Sequence, residues 1–153
     1  MILKFIHRLA IALDCWGKKR TILDREGGSV YLERYYLLWG SRQGDYKRPW
    51  WCPFNVMLHH LCRSDEDELH DHPWWNCSLI LAGGYWETTP KGRFWRRPGT
   101  FLMRRAIAQH KLEIDPAKGE VWTLFVIGPR VRDWGFINTE GDWVQWQEYL
   151  NAN

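Results

Sequence analysis

The sequence predicts an all-β jelly roll behind one amphipathic helix, and three observations carry that expectation. From Val30 onward, short runs rich in β-branched and aromatic residues recur. Turn signals built from Gly, Pro, Asn and Asp separate them. At 153 residues with 45% hydrophobic content, the chain is long enough to bury a substantial core as one domain. The expected organisation is a helix and linker over residues 1–28 and a β-barrel over residues 29–153.

Met1 to Leu13 is apolar but interrupted by Lys4, His7 and Arg8, and Ile2, Phe5, Ile6, Leu9 and Leu13 fall on one helical stripe. Such a stripe packs on the barrel or on a second subunit. A basic, glycine-containing link runs from Gly17 to Gly28. Val30 to Trp39 reads as a strand, and Ser41 to Pro53, with Gly44, Asp45, Pro49 and Pro53, as a loop. Asn55 to Cys62 is the next strand, whose alternation places Phe54, Val56, Leu58, His60 and Cys62 on one face. An acidic turn, Arg63 to Glu68, leads into His70-Asp71-His72, read as a further strand. Ser78 to Ala82 runs to Gly83-Gly84, a hairpin signal, and returns as Tyr85 to Thr88. Phe94 to Arg97 and Phe101 to Arg104 flank the Pro98-Gly99 turn, and His110 to Ile114 and Val121 to Ile127 flank Asp115 to Gly119. Gly135 to Asn138 and Trp143 to Gln147 form the last pair, with a short turn at Gln147 to Leu150.

A net charge of +3 is too small to mark a nucleic-acid binder. Lys91, Arg93, Arg96, Arg97, Arg104 and Arg105 do cluster around Phe94 and Trp95, a pattern that single-stranded nucleic acid can use. Strand alternation produces the same pattern on an ordinary hairpin rim, so nucleic acid is the disfavoured partner. Four cysteines without CxxC spacing fit a reduced, cytoplasmic protein. The charges in the N-terminal stretch and the Asp14-Cys15-Trp16 that follows do not make a secretory signal. No run approaches the ~20 apolar residues that cross a bilayer. Neither a nucleophile elbow nor a phosphate-binding glycine loop is present.

The chemistry concentrates at His70 and His72. On a strand, residues two apart project to one side, so the pair would present two imidazoles to one space with Asp71 turned away. A third arrives at His110, within the alternating run Gln109 to Ile114. Neutral imidazoles a few ångströms apart are divalent-metal ligands. His59 and His60 alternate in direction, so at most one faces the barrel. Arg63 and Arg104 are candidates to clamp a substrate carboxylate bidentately, or else rim residues.

Over roughly residues 54 to 128 this pattern resembles the cupin superfamily, small double-stranded β-helix barrels. Their first motif reads HxH, then Glu after three or four residues, then Gly after six more, and their second supplies another His. Here His70 and His72 match the pair, Asn76 stands where the Glu would be, and Gly83 takes the closing glycine. His110 falls where the second motif's His belongs. The Asn leaves three neutral ligands, a set that resembles the three-His iron sites of cupin thiol and diketone dioxygenases. His70 to Gly83 is similar to cysteine dioxygenase in particular, where a Cys follows the second His by five residues, the position of Cys77. That family's Ser-x-His-x-Tyr strand is matched here by Thr123 to Ile127, which has neither His nor Tyr, so cysteine itself is a disfavoured substrate. Phe125 and Ile127 would instead make an apolar pocket wall. Asn76 is a weak ligand, a donor to a bound oxygen, or a turn residue.

The resemblance implies a metal-binding cupin acting as a non-haem Fe(II) dioxygenase-like oxidoreductase on a small bidentate anionic substrate. Zn or Ni are the alternative metals, zinc with hydrolytic or hydratase chemistry. The rival class is a non-enzymatic cupin, stapled by its metal, that binds a small molecule or a protein or nucleic-acid partner. A homodimer is expected, since open sheet edges and the apolar helix both need covering.

Overall fold

The computed structural model describes residues 1–25, 27–40 and 49–152, so residues 41–48 of the expected loop lie outside the described residues. The larger of its layers is a six-stranded antiparallel sheet. Its order is β1 (Lys19–Leu23), β2 (Val30–Tyr36), β3 (Asn55–Leu61), β9 (Val121–Ile127), β4 (Asn76–Ala82) and β7 (Phe101–Arg104). β1 occupies part of the stretch expected as a linker. Its Lys19-Arg20 start hides the strand pattern, yet such charges suit the sheet edge it occupies beside β2.

The second layer is joined from two pieces. One holds β6 (Gly92–Arg96), β5 (Tyr85–Thr89) and β8 (Lys111–Ile114), and the other pairs β10 (Gly135–Ile137) with β11 (Trp143–Gln145). His70 connects them, bridging His110 on one side and Phe136 on the other. The His70 N–H donates to the His110 carbonyl at 3.0 Å, the His110 N–H returns 2.9 Å, and the Ile137 N–H reaches the Leu69 carbonyl at 2.7 Å. The strand expected at His70-Asp71-His72 is therefore a bridge at His70 followed by a bend. Pro73, which lacks an N–H and restricts the residue before it, ends the ladder there.

Alternation sorts the side chains between the layers and the outside. Ile80 and Val121 of the large sheet meet Tyr85, Leu112 and Ile114 of the second layer at one end of the interior. Tyr36, Met57 and Ile127, with Trp74 and Phe125, fill another part of it. On the opposite face of the large sheet, Tyr35, Leu58, Ala82 and Trp122 receive α1 (Ile2–Cys15). The helix buries Ile6, Ala10 and Leu13, spaced one and two turns apart, and burying each of the larger two stabilises by roughly 1.5–3 kcal/mol. The stripe is thus rotated from the expected one: Ile2 and Phe5 stay 54% and 67% exposed. α1 stops at Gly17, whose φ of 71° allows Lys18 and Gly17 to donate back to Leu13 and Asp14 at 2.8 and 2.9 Å. The turn expected near 147–150 is a helix, α2 (Trp146–Ala152). Among the described residues, no helix is long and apolar enough to cross a membrane, and the four cysteines are free.

Gly83, singled out by its spacing, occupies the hairpin between β4 and β5 at φ +70°, and a Cβ there would sit 2.4 Å from the Glu120 carbonyl oxygen. Gly83→Ala combines left-handed strain with a backbone clash. It is expected to lose at least about 1–3 kcal/mol of stability in urea denaturation; an unchanged midpoint would contradict the tight approach.

Candidate metal centre

The bridge at His70 and the bend after it bring three histidines together between the layers. Antiparallel pairing sets His70 beside His110, with ring centroids 5.0 Å apart. Donation from the His72 N–H to the Ala106 carbonyl at 3.0 Å folds His72 over the same space, 5.0 Å from the His110 ring and 5.3 Å from the His70 ring. One ring nitrogen from each lies within 4.8 Å of the others, and His72 Nε2 stands 2.8 Å from His110 Nε2.

Glu87 sets the orientation of His110. It points inward from β5, is 1% exposed, and its Oε1 lies 3.1 Å from His110 Nδ1. The carboxylate therefore accepts a hydrogen bond from Nδ1–H, which keeps the proton there and leaves Nε2 with the lone pair that a metal binds. Arg96 Nε donates to Glu87 at 2.7 Å and Arg104 Nε at 2.8 Å. His70 has a looser neighbour, Asp65, 4.0 Å from its Nδ1 and itself fixed by the Leu112 N–H and the Tyr31 hydroxyl. Asp71, expected to turn away from the histidines, is 2% exposed and accepts from Arg132, the Gly135 N–H at 2.9 Å and the Trp143 indole at 3.0 Å. It ties β10 and β11 to the segment that carries His70 and His72.

Burial, with the neighbouring His110 and His70, pushes His72 well below its ordinary range. Burial likewise lowers His110 to about 4, against the opposing pull of Glu87. Burial would raise Glu87, but His110 and Arg104 outweigh it and hold the carboxyl at about 2. Both signs act together on the metal-free chain. Between pH 6.5 and 4 the unfolded state takes up the proton that folded His110 refuses, so stability falls as pH falls. The contribution of Glu87 is complete above 4.5 and is lost as pH falls toward 2. Urea midpoints of metal-free protein are expected to drop steadily below pH 6.5; a flat profile down to pH 4 would contradict neutral, buried imidazoles.

The other expected residues separate. Asn76 opens β4 on its inward face, fully buried, and neither side-chain amide atom has a partner among the described residues. Cys77 follows on the outward face, in register with Met103 and Val126, and is not brought to the histidines. Phe125 faces inward and stacks on His59 at 4.7 Å. Arg104 is 9% exposed and engaged by Glu87, while Arg63 pairs at the surface with Asp24 and Glu66. Glu87 and Arg34 carried no signal in the sequence. Arg34 shares the inward side of β2 with Leu32 and Tyr36 and donates through Nε to His59 at 3.1 Å. A cavity of about 330 Å³ opens between β1 and the C-terminal hairpin, lined by Ile22, Tyr31, Trp134, Phe136 and Leu150, and reaches His70.

No family model and no curated protein matches this chain. Solved structures do. DMSP lyase DddQ from Ruegeria pomeroyi DSS-3 superposes with a TM-score of 0.63 at 15% identity, over 91% of this chain and 70% of that one. A cupin-2 domain protein from Rhodospirillum rubrum gives 0.55 at 11% identity, over 80% and 73%. The iron(II) form of HppE gives 0.53 at 9% identity, over 72% and 56%. At these identities the likeness establishes the fold, a cupin jelly roll with an N-terminal helix.

Proposed function

We propose that this cupin-fold chain is a metal-dependent, oxygenase-like enzyme. His70, His72 and His110 hold one divalent ion, iron(II) by preference, and a small bidentate anion is the substrate. The observation that carries the reading is the convergence of three imidazoles, with His110 Nδ1 taken by Glu87 and its Nε2 2.8 Å from that of His72. The donors fit such an ion. Two nitrogens each about 2.0–2.1 Å from one metal lie about 2.9 Å apart at a right angle and about 3.4 Å apart at a tetrahedral one. The His72–His110 spacing of 2.8 Å is one that two donors to a single ion can share.

When bound, iron(II) supplies the activation of O₂ and the anchoring of substrate. The chain's own residues do the rest. With no carboxylate among the three donors, the ion keeps its full charge, and Arg34, which donates to the His59 ring, adds to it, which selects an anion. Arg34 points inward and offers a guanidinium to a substrate carboxylate, a role that Arg104 and Arg63, both already paired, leave open. Asn76, with both amide atoms unpartnered among the described residues, is placed to hydrogen-bond a ligand oxygen. Trp74 and Phe125 exclude water beside it.

Oxygen uptake tests this reading, comparing iron- and zinc-loaded protein across thiols, diketones and other bidentate acids. Uptake is expected with iron alone and should vanish in His110→Ala. In Arg34→Gln, KM for a carboxylate substrate should rise about tenfold or more while kcat changes less. Turnover with zinc in the absence of O₂ would replace the redox reading with a hydrolytic or lyase one.

A further inference from the structure

On the other face of the large sheet, away from the three histidines, a second set of ligand atoms converges. Glu33 and His60 are cross-strand partners on β2 and β3, and Cys62 follows one residue beyond β3 on the same side. Glu33 Oε2 lies 2.9 Å from His60 Nδ1, and Cys62 Sγ lies 3.6 Å from that same nitrogen. One donor atom from each falls within 4.8 Å of the others. We propose that Glu33, His60 and Cys62 form a second metal site, for a borderline-soft divalent ion of the zinc class.

The arrangement discriminates between two uses of such a trio. In a nucleophilic triad the thiol and the carboxylate occupy opposite nitrogens of the imidazole, so that one delivers a proton and the other orients the ring. Here both approach Nδ1, as ligands around an ion do. The sulfur–nitrogen spacing agrees: a sulfur about 2.3 Å and a nitrogen about 2.0 Å from one zinc, at a tetrahedral angle, lie about 3.5 Å apart, while the Glu33–His60 pair would open from 2.9 Å to about 3.3 Å on binding. Thiolate, imidazole and carboxylate together are also a donor set that zinc accepts.

The surroundings hold the donors in place. Lys19 Nζ binds Glu33 Oε1 at 2.6 Å and the Tyr35 hydroxyl donates to Oε2 at 3.1 Å, so the oxygen toward His60 is oriented by its own partner. His60 stacks flat on Trp122, with centroids 4.4 Å apart and planes 5° from parallel, which fixes the ring. A cavity of about 320 Å³ between this face and α1 is lined by Glu33, His60, His7 and Glu120. Glu120, held by the Trp122 indole at 2.9 Å and by His7 at 2.6 Å, is a further carboxylate lining this cavity, for a fourth position that water can also fill. Binding requires Cys62 to release its proton.

The test is a Cd²⁺ titration of the chelator-stripped full chain, read as thiolate-to-metal charge-transfer absorption in the ultraviolet. One thiolate-bearing equivalent is expected. The band should disappear in Cys62→Ser, shift to at least about tenfold higher cadmium in Glu33→Gln, and persist in Cys15→Ser and His72→Ala. Circular dichroism of each variant confirms folding, and the Glu33 variant keeps the test valid should Cys62→Ser misfold. No band, a band that survives in Cys62→Ser, or one lost in Cys15→Ser would overturn the site. Because His72→Ala leaves these ligands intact, failure here is distinguishable from failure of the three-His reading.

Discussion

Glu87→Ala is expected to cost about 3–5 kcal/mol of stability and to weaken metal binding at the three histidines about 10–100-fold. Both effects follow from one carboxylate. Glu87 accepts from Arg96, Arg104 and His110, and Arg104 is itself only 9% exposed, so truncation leaves a buried guanidinium without its counter-charge. It also frees His110 Nδ1 and with it the tautomer that presents Nε2. Glu87→Gln separates the two, keeping the shape while removing the charge. Denaturant midpoints with and without metal measure the first effect and calorimetric metal titration the second. If affinity is unchanged in both variants, the carboxylate does not set the ligand form of His110.

Asp71→Ala should cost about 3 kcal/mol and weaken the same centre from a different direction. Three donors lose their acceptor at once: the Gly135 N–H, the Trp143 indole and the Arg132 guanidinium. These hold the β10–β11 hairpin, whose backbone pairs on the far side of His70 from His110. Loosening the hairpin should raise amide hydrogen exchange at His70 and Ile137 before it affects β3 or β9. Exchange that stays uniform across the chain would show that Asp71 contributes only to global stability.

Asp71 and Glu87 also mark where the sequence stopped being readable. His70, His72 and Gly83 stood out because a motif-length spacing is local, and His110 because it is the sole later histidine. The convergence of His70 and His72 was legible although the regular strand assumed for it is only one bridge. Glu87, by contrast, looks like any polar residue on a two-sided strand. Its meaning arises only when β5 is paired with both β6 and β8, placing it opposite Phe94 and Leu112 on the inner side. Asp71 is covered by a hairpin more than sixty residues later, so nothing in its local sequence shows the donors it meets when it turns away from the histidines. The two arginines expected as carboxylate clamps or rim residues have partners that the sequence does not show. Arg104 is consumed by Glu87, and Arg63 lies at the rim, 44% exposed. Strand positions survived well where turns were explicit, as at β7 and β9. They failed at β1, where charge at a sheet edge mimics a linker.

The central claim is that His70, His72 and His110 hold one divalent metal ion. Its most direct test is elemental analysis of protein purified without chelators, beside a His72→Ala variant prepared identically. The account predicts a first-row metal bound through these histidines, near one equivalent and iron by preference, and lost in the variant. The same metal content in His72→Ala and in the parent chain, or no binding by either after reconstitution, would contradict it.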